Sequence, residues 1–211
     1  MKPSNGYVFL VVCILVVAAF GTLQTYSLQQ TQSDLQNQIA GLNYQVSTLQ
    51  SQLLNATGWS RNSGISLLVT GLVQRPLNLT FYDLITMPWT TVNATMYCIG
   101  PPTGVIAGGN WTGVSLASIL QRANVSTTAI KVAFYATDNY STDLTLATGM
   151  QNNIVVAFEN NGVPLTQGLR LVTPGLWGYK WIYQLSDINL VDYNFLGTME
   201  SMGYSDSGLV A

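Results

Sequence analysis

From Tyr7 to Leu23 the chain reads YVFLVVCILVVAAFGTL, seventeen residues without a charge, and it runs on without a proline into a heptad pattern. An uncharged run of this size is at the short end of what spans a bilayer as a helix, about 17–25 residues. The rival reading is a cleaved signal peptide, for which Ala18-Ala19 offers small residues. The usual apolar core of such a peptide is shorter, about 7–15 residues. Lys2 precedes the run and no Lys or Arg follows it until Arg61. The positive-inside rule then leaves residues 1–6 as a cytoplasmic tail, makes 7–23 a single-pass transmembrane helix and places the rest outside the cell. Cys13 falls within the span as simple packing.

From Leu35 to Leu53 the apolar positions Leu35, Ile39, Leu42, Val46, Leu49 and Leu53 alternate spacings of four and three. That is a coiled-coil seam, and Leu28 extends it one heptad earlier with Gln32 as a polar position between. β-Branched residues at a and leucine at d favour a parallel two-stranded coil. The flanking positions are almost all Gln or Asn, so charge does not choose the partner. Residues 24–54 are therefore expected to form a stalk that pairs with another copy or with a different membrane subunit. The alternative is an amphipathic helix lying on its own domain, which calls for a broader apolar face. Residues 55–64, with Gly58 and Gly64 among Ser and Asn, form a linker, and 65–211 a globular domain.

Only 8% of the residues are charged and the net charge is −2, which excludes the basic stripe a nucleic-acid surface needs. Hydrophobic residues make up 48%, which excludes a disordered chain. There is no histidine, hence no Ser-His triad. Gly108-Gly109 lacks the lysine of a phosphate-binding loop. Cys98 is the only cysteine outside the apolar run. A lone thiol in an exported domain is either a small buried hydrophobe or a soft metal ligand, and residue type alone leaves both open. Six N-x-S/T sequons, at Asn55, Asn78, Asn93, Asn110, Asn124 and Asn139, all lie beyond the apolar run, as an external, glycosylated domain requires.

The globular part reads as strands over 65–73, 90–98, 130–136, 154–158, 169–173, 181–185 and 188–191. Helices are expected over 82–87, stopped by Pro88, and over 114–123, with Ser115 as a cap. Many short strands with few helices indicate an α+β domain with a mixed sheet.

The order of motifs resembles the sulfite-oxidase-type molybdopterin-binding domain, over about residues 65–205. The opening GLVQRPLNLTFYDLITMP at 71–88 carries the likeness, as do the strand ending in Cys98-Ile-Gly100 and the segment WTGVSLASIL at 111–120. Asp138-Asn-Tyr-Ser-Thr142, VVAFENNGVPL at 155–165, LRLVTPG at 169–175, GYKW at 178–181 and Gly203-Tyr-Ser205 follow in the family's order. The resemblance implies a pterin cofactor carrying molybdenum or tungsten, with Cys98 as the metal's thiolate. It also implies Arg170, Gly175 and Lys180 around the cofactor phosphate, and Tyr140 as donor to a substrate oxyanion. The reaction implied is oxygen-atom transfer on a small oxyanion or sulfoxide. With no haem motif such as C-x-x-C-H, electrons would pass to an external partner. Three positions depart from the family pattern. Pro101-Pro102 stands where an Asn is usual, no arginine lies close after the cysteine, and Thr166-Gln167-Gly168 replaces a His-Gly step. A second reading therefore stays beside the first: a cofactor-free, glycosylated accessory or structural subunit of a membrane complex or surface assembly that keeps the fold without the chemistry.

Overall fold

The computed structural model describes the backbone of residues 5–56 and 64–210, and side chains from residue 24 onward. It divides into two units, Met1–Leu53 and Leu54–Ala211. The first is occupied by one continuous helix, α1 (Asn5–Ala56). The side chains of the proposed span at Tyr7–Leu23, Cys13 included, lie outside the described residues, as do residues 1–4 and most of the linker, 57–63. Among the described residues no helix is long and apolar enough to cross a membrane. Along α1 the predicted seam is uncovered in the single chain: Leu28, Leu35, Ile39, Leu42, Val46, Leu49 and Leu53 are all exposed.

The second unit holds ten strands: β1 (Ser66–Gly71), β2 (Leu77–Thr80), β3 (Trp89–Cys98), β4 (Gly104–Ser115), β5 (Lys131–Ala136), β6 (Ser141–Thr145), β7 (Val155–Asn160), β8 (Val163–Pro164), β9 (Arg170–Val172) and β10 (Leu185–Val191). Its helices are α2 (Phe81–Thr86), α3 (Leu116–Ala123) and α4 (Leu146–Gly149). One sheet has the order β2-β1-β10-β5-β6, in which only β1 and β10 run parallel. The other has the order β3-β4-β7-β8, and β9 also pairs with β7. The expected mixed-sheet α+β class is the one observed.

Local chemistry explains the elements. α2 starts at a reciprocal capping box: the Thr80 hydroxyl accepts from Asp83 N, and the Asp83 carboxylate accepts from Thr80 N. It stops before Met87-Pro88, since the residue ahead of a proline is pushed out of the helical region. α3 presents an apolar face of Leu116, Ile119, Leu120 and Ala123 and ends at Asn124, in the left-handed region with φ 55°. Ser115 stands at its cap position, but its side chain makes no cap hydrogen bond.

The strand β7 is apolar on both sides because the sheet is covered on both faces. Val156 and Phe158 enter the main core with Leu67, Phe81, Ile119, Phe134, Leu171 and Ile188. Val155 and Ala157 enter a smaller core with Ala94, Met96, Trp111, Val172 and Trp181. That second layer is where the candidate site is built.

Three expectations about elements need correction. β4 was not foreseen, because Gly104, Gly108, Gly109 and Gly113 are poor strand formers. Gly113 explains the composition: at a break in the β4/β7 register, a Cβ there would lie 2.1 Å from Val156 O, so only glycine lets the two backbones close. β6 is a further strand outside the expected set. The strand expected over 181–185 is a single bridge between Arg170 and Tyr183, and the ladder begins only at Leu185.

Candidate functional site

Cys98 closes β3, paired across the hairpin with Gly104. Burial alternates along β3, so Ala94, Met96 and Cys98 share the inward face while Tyr97 points outward. Cys98 is a free thiol, partly accessible at the end of that face. It is therefore neither sealed in the core nor paired.

Arg170, at the start of β9, reaches the same face. Its Nη1 lies 3.3 Å from Met96 Sδ, and the guanidinium stacks 4.3 Å from the Tyr183 ring and 5.9 Å from Trp111. Trp111 packs edge-on against Trp181, centroids 5.8 Å apart. Arg170 is half-buried and, among the described residues, has no carboxylate partner. Burial accordingly draws its pKa below the ordinary value. A desolvated guanidinium without an anion is an open position for one.

Tyr140 follows the β5–β6 turn, which is held by Asp138 accepting from Tyr140 N and by Asn139 at φ 70°. Its phenol donates to Tyr179 O at 2.7 Å, and burial raises its pKa far above the usual range. A cavity of about 290 Å³ is lined by Asp138, Tyr140, Gly178, Trp181, Ile182 and Tyr183. A second, of about 420 Å³, lies against the neighbouring residues Thr137, Gln184 and Leu169 and includes Thr166, Gln167 and Gly168. The Tyr183 hydroxyl donates to Gln167 Oε1 at 3.3 Å.

Lys180 does not face either cavity, which corrects the expectation of a phosphate contact. It is fully buried, and its ammonium contacts Asp143 O at 3.0 Å, Asp143 Oδ1 at 3.1 Å and Glu200 Oε1 at 2.6 Å. Three donors meet three acceptors, so none is left over. Gly175 is also elsewhere: its φ of 82° shapes a turn beside another cavity, of about 240 Å³, that includes neither Cys98 nor Arg170. Tyr140 lines the first cavity, but its proton is already committed to a backbone carbonyl and is not poised for a substrate. All six sequon asparagines are exposed; Asn93 and Asn110 face each other across the β3/β4 ladder, with Asn93 Nδ2 donating to Asn110 Oδ1 at 2.9 Å.

The cluster that the sequence did not reveal is the one holding Lys180. Lys131 at the head of β5 contacts Asp143 Oδ2 at 2.6 Å, an ionic contact outside hydrogen-bond angles, and also Asp206 at 2.9 Å. Thr142 donates to Glu200 Oε1 at 2.8 Å. Burial pushes the Asp143 carboxyl up, and the two ammonium groups do not fully reverse it. For Lys131 burial pulls downward, yet Asp143 and Asp206 outweigh it and its pKa ends above the ordinary 10.5. The available signal was the isolation of these cations in apolar surroundings, AIKVAF and YKWI.

These shifts give a signed pH prediction. A lysine with a raised folded pKa stabilises below its unfolded value and loses that contribution as pH rises through the folded one. Buried Tyr140 and Tyr179, raised from 10.0, act in the same direction, since unfolded phenols ionise first. The melting temperature should hold to about pH 10 and then fall, and Tyr140→Phe should make the fall shallower. An alkaline limb equally steep in that variant would contradict the assignment.

Residues 57–199 match the model of the oxidoreductase molybdopterin binding domain. The chain belongs to this family. It is 31% identical over 148 residues to the "Uncharacterized oxidoreductase YuiH" of Bacillus subtilis, covering 68% of this chain and 73% of that one. It is 27% identical over 163 residues to the sulfite oxidase of Arabidopsis thaliana, covering 60% of this chain and 42% of that protein. The sulfane dehydrogenase SoxCD of Paracoccus pantotrophus shares the fold, with a TM-score of 0.57 at 23% identity over 63% of this chain and 39% of that chain. Membership in this family implies a molybdopterin cofactor. The residues that fit one here are the accessible thiol of Cys98 and the uncompensated Arg170; Lys180 and Gly175 do not join them.

Proposed function

We propose that the chain is a membrane-tethered, extracytoplasmic, molybdopterin-dependent oxidoreductase that moves an oxygen atom to or from a small oxyanion or sulfoxide. One observation carries the reading: Arg170, half-buried and without a carboxylate counter-ion among the described residues, reaches the face of β3 that ends in the accessible Cys98. When bound, a molybdenum or tungsten pterin supplies the two-electron chemistry. Cys98 would hold the metal as a thiolate, since metal binding itself removes the proton. Arg170 would fork onto the phosphate, with Tyr183 and Trp111 fixing the guanidinium plane. Trp181 and Tyr183 form the apolar walls that exclude water. Electrons would leave through an external partner.

Lys2 ahead of the Tyr7–Leu23 run and the six exposed sequons support an external, glycosylated domain on a single-pass anchor. The uncovered seam of α1 supports a parallel partner helix. Cysteines placed along it, for example at Leu42, should cross-link copies in membranes. No seam-dependent product would leave a different subunit as the partner.

The test of the chemistry is metal and pterin analysis of the purified full chain. About one molybdenum or tungsten per chain is expected. A well-folded chain free of both metals would overturn the reading. It would instead favour the cofactor-free accessory subunit, which the closed contacts of Lys180 and Tyr140 and the absence of histidine support.

A further inference from the structure

The short turn Gly178–Lys180 packs on β3 and on Tyr140. Gly178 is packed so tightly on β3 that a Cβ would lie 2.9 Å from Tyr97 O and 3.2 Å from Met96 Cγ, next to Cys98 in sequence and on the strand that carries it. Tyr179 O receives the Tyr140 hydroxyl, while the Tyr179 hydroxyl donates to Ser205 O at 2.6 Å. Trp181, the next residue, donates from its indole to Leu176 O at 3.1 Å and supports Trp111 beneath Arg170. Lys180 is the only residue of the turn anchored by ions, and its anchors belong to β6 and to the 200–202 turn near the C-terminus. Gly208 closes over it: a Cβ there would lie 2.6 Å from Lys180 Cγ.

We propose that Lys180 is a positioning residue, which through its ion pairs with Asp143 and Glu200 presses the 178–180 turn against β3 and thereby sets the exposure of the Cys98 thiol and the bed of Arg170. The assignment of a role to that site rests on the oxidoreductase reading; the mechanical coupling does not. Neutralising either carboxylate partner, or removing the ammonium, frees the turn to lift from Tyr97, and Cys98 gains access to solvent.

The experiment measures alkylation of Cys98 by a maleimide in the full chain, with Cys13→Ser as background, produced in cells unable to make molybdopterin. Lys180→Met should speed alkylation about tenfold or more, and Glu200→Gln, which keeps shape and removes charge, should speed it severalfold. Lys131→Met, which removes the other partner of Asp143 without touching the turn, should leave the rate within twofold. Tryptophan emission should shift in the first two variants only, reporting Trp181 and Trp111. If Lys180→Met does not fold, Glu200→Gln decides the matter. Variants that melt lower but alkylate at the parental rate would show that Lys180 holds the fold alone, and would overturn the proposal. Because the comparison uses cofactor-free chain, a metal-free native protein would sink the oxidoreductase reading and leave this result standing.

Discussion

Lys180→Met should lower the unfolding free energy by about 3–5 kcal/mol, the loss typical when one member of a buried ion pair is removed. The size follows from what is left behind. Asp143 and Glu200 are 1% and 4% exposed, and each takes a contact from this ammonium. Glu200 Oε2 already lacks a hydrogen-bond partner, and no lysine but Lys180 reaches that carboxylate among the described residues. Without Lys180, Glu200 must be buried as an unpaired charge or take up a proton. Lys131 differs because its buried partner Asp143 keeps Lys180 at 3.1 Å, and its other partner Asp206 has 41% of its side chain exposed, so water can replace the lysine there. Lys131→Met should therefore cost clearly less. For a chain of this size the Lys180→Met loss corresponds to a fall of roughly 6–20 °C in melting temperature. A loss below about 1 kcal/mol in denaturant titration would show that the network is neutral to stability. Combining Lys180→Met with Glu200→Gln should recover part of the loss, because the pair is coupled.

Arg170→Met should do the opposite to stability and far more to function. The guanidinium sits in aromatic surroundings with a thioether and, among the described residues, no anion, and burial disfavours its charged form. Methionine fills similar space without that penalty, so the cofactor-free domain should melt no lower than the parent. Retention of the pterin should drop about ten- to hundredfold, matching the 1.5–3 kcal/mol of charge-assisted hydrogen bonds to a phosphate. Arg170→Lys should be intermediate, keeping the charge while losing the fork. Equal metal content in parent and Arg170→Met would remove Arg170 from the site. The two variants thus separate loss of stability from loss of cofactor retention.

Comparing the motif order with the coordinates shows where local reading succeeds. Pro88 ends α2, α1 is one continuous helix, and the burial of β7 follows from IVVAF, because each depends on contacts within a few residues. β4 escaped because its glycines reflect Val156 and Asn161, residues about fifty positions away. The site divides in the same way. Arg170, from β9, reaches the face of β3 that ends in Cys98, whereas Lys180 and Gly175 lie away from that face.

By itself the chain determined its family, its mixed-sheet class and the long leading helix, since these follow from residue type and spacing. Only the tertiary structure decided which cations are free. Lys131, Arg170 and Lys180 are alike as letters, but Asp143, Glu200 and Asp206 come from distant segments to neutralise two of them, and among the described residues no such segment reaches Arg170. Charge compensation is a property of three-dimensional neighbours, and sequence order carries no record of it.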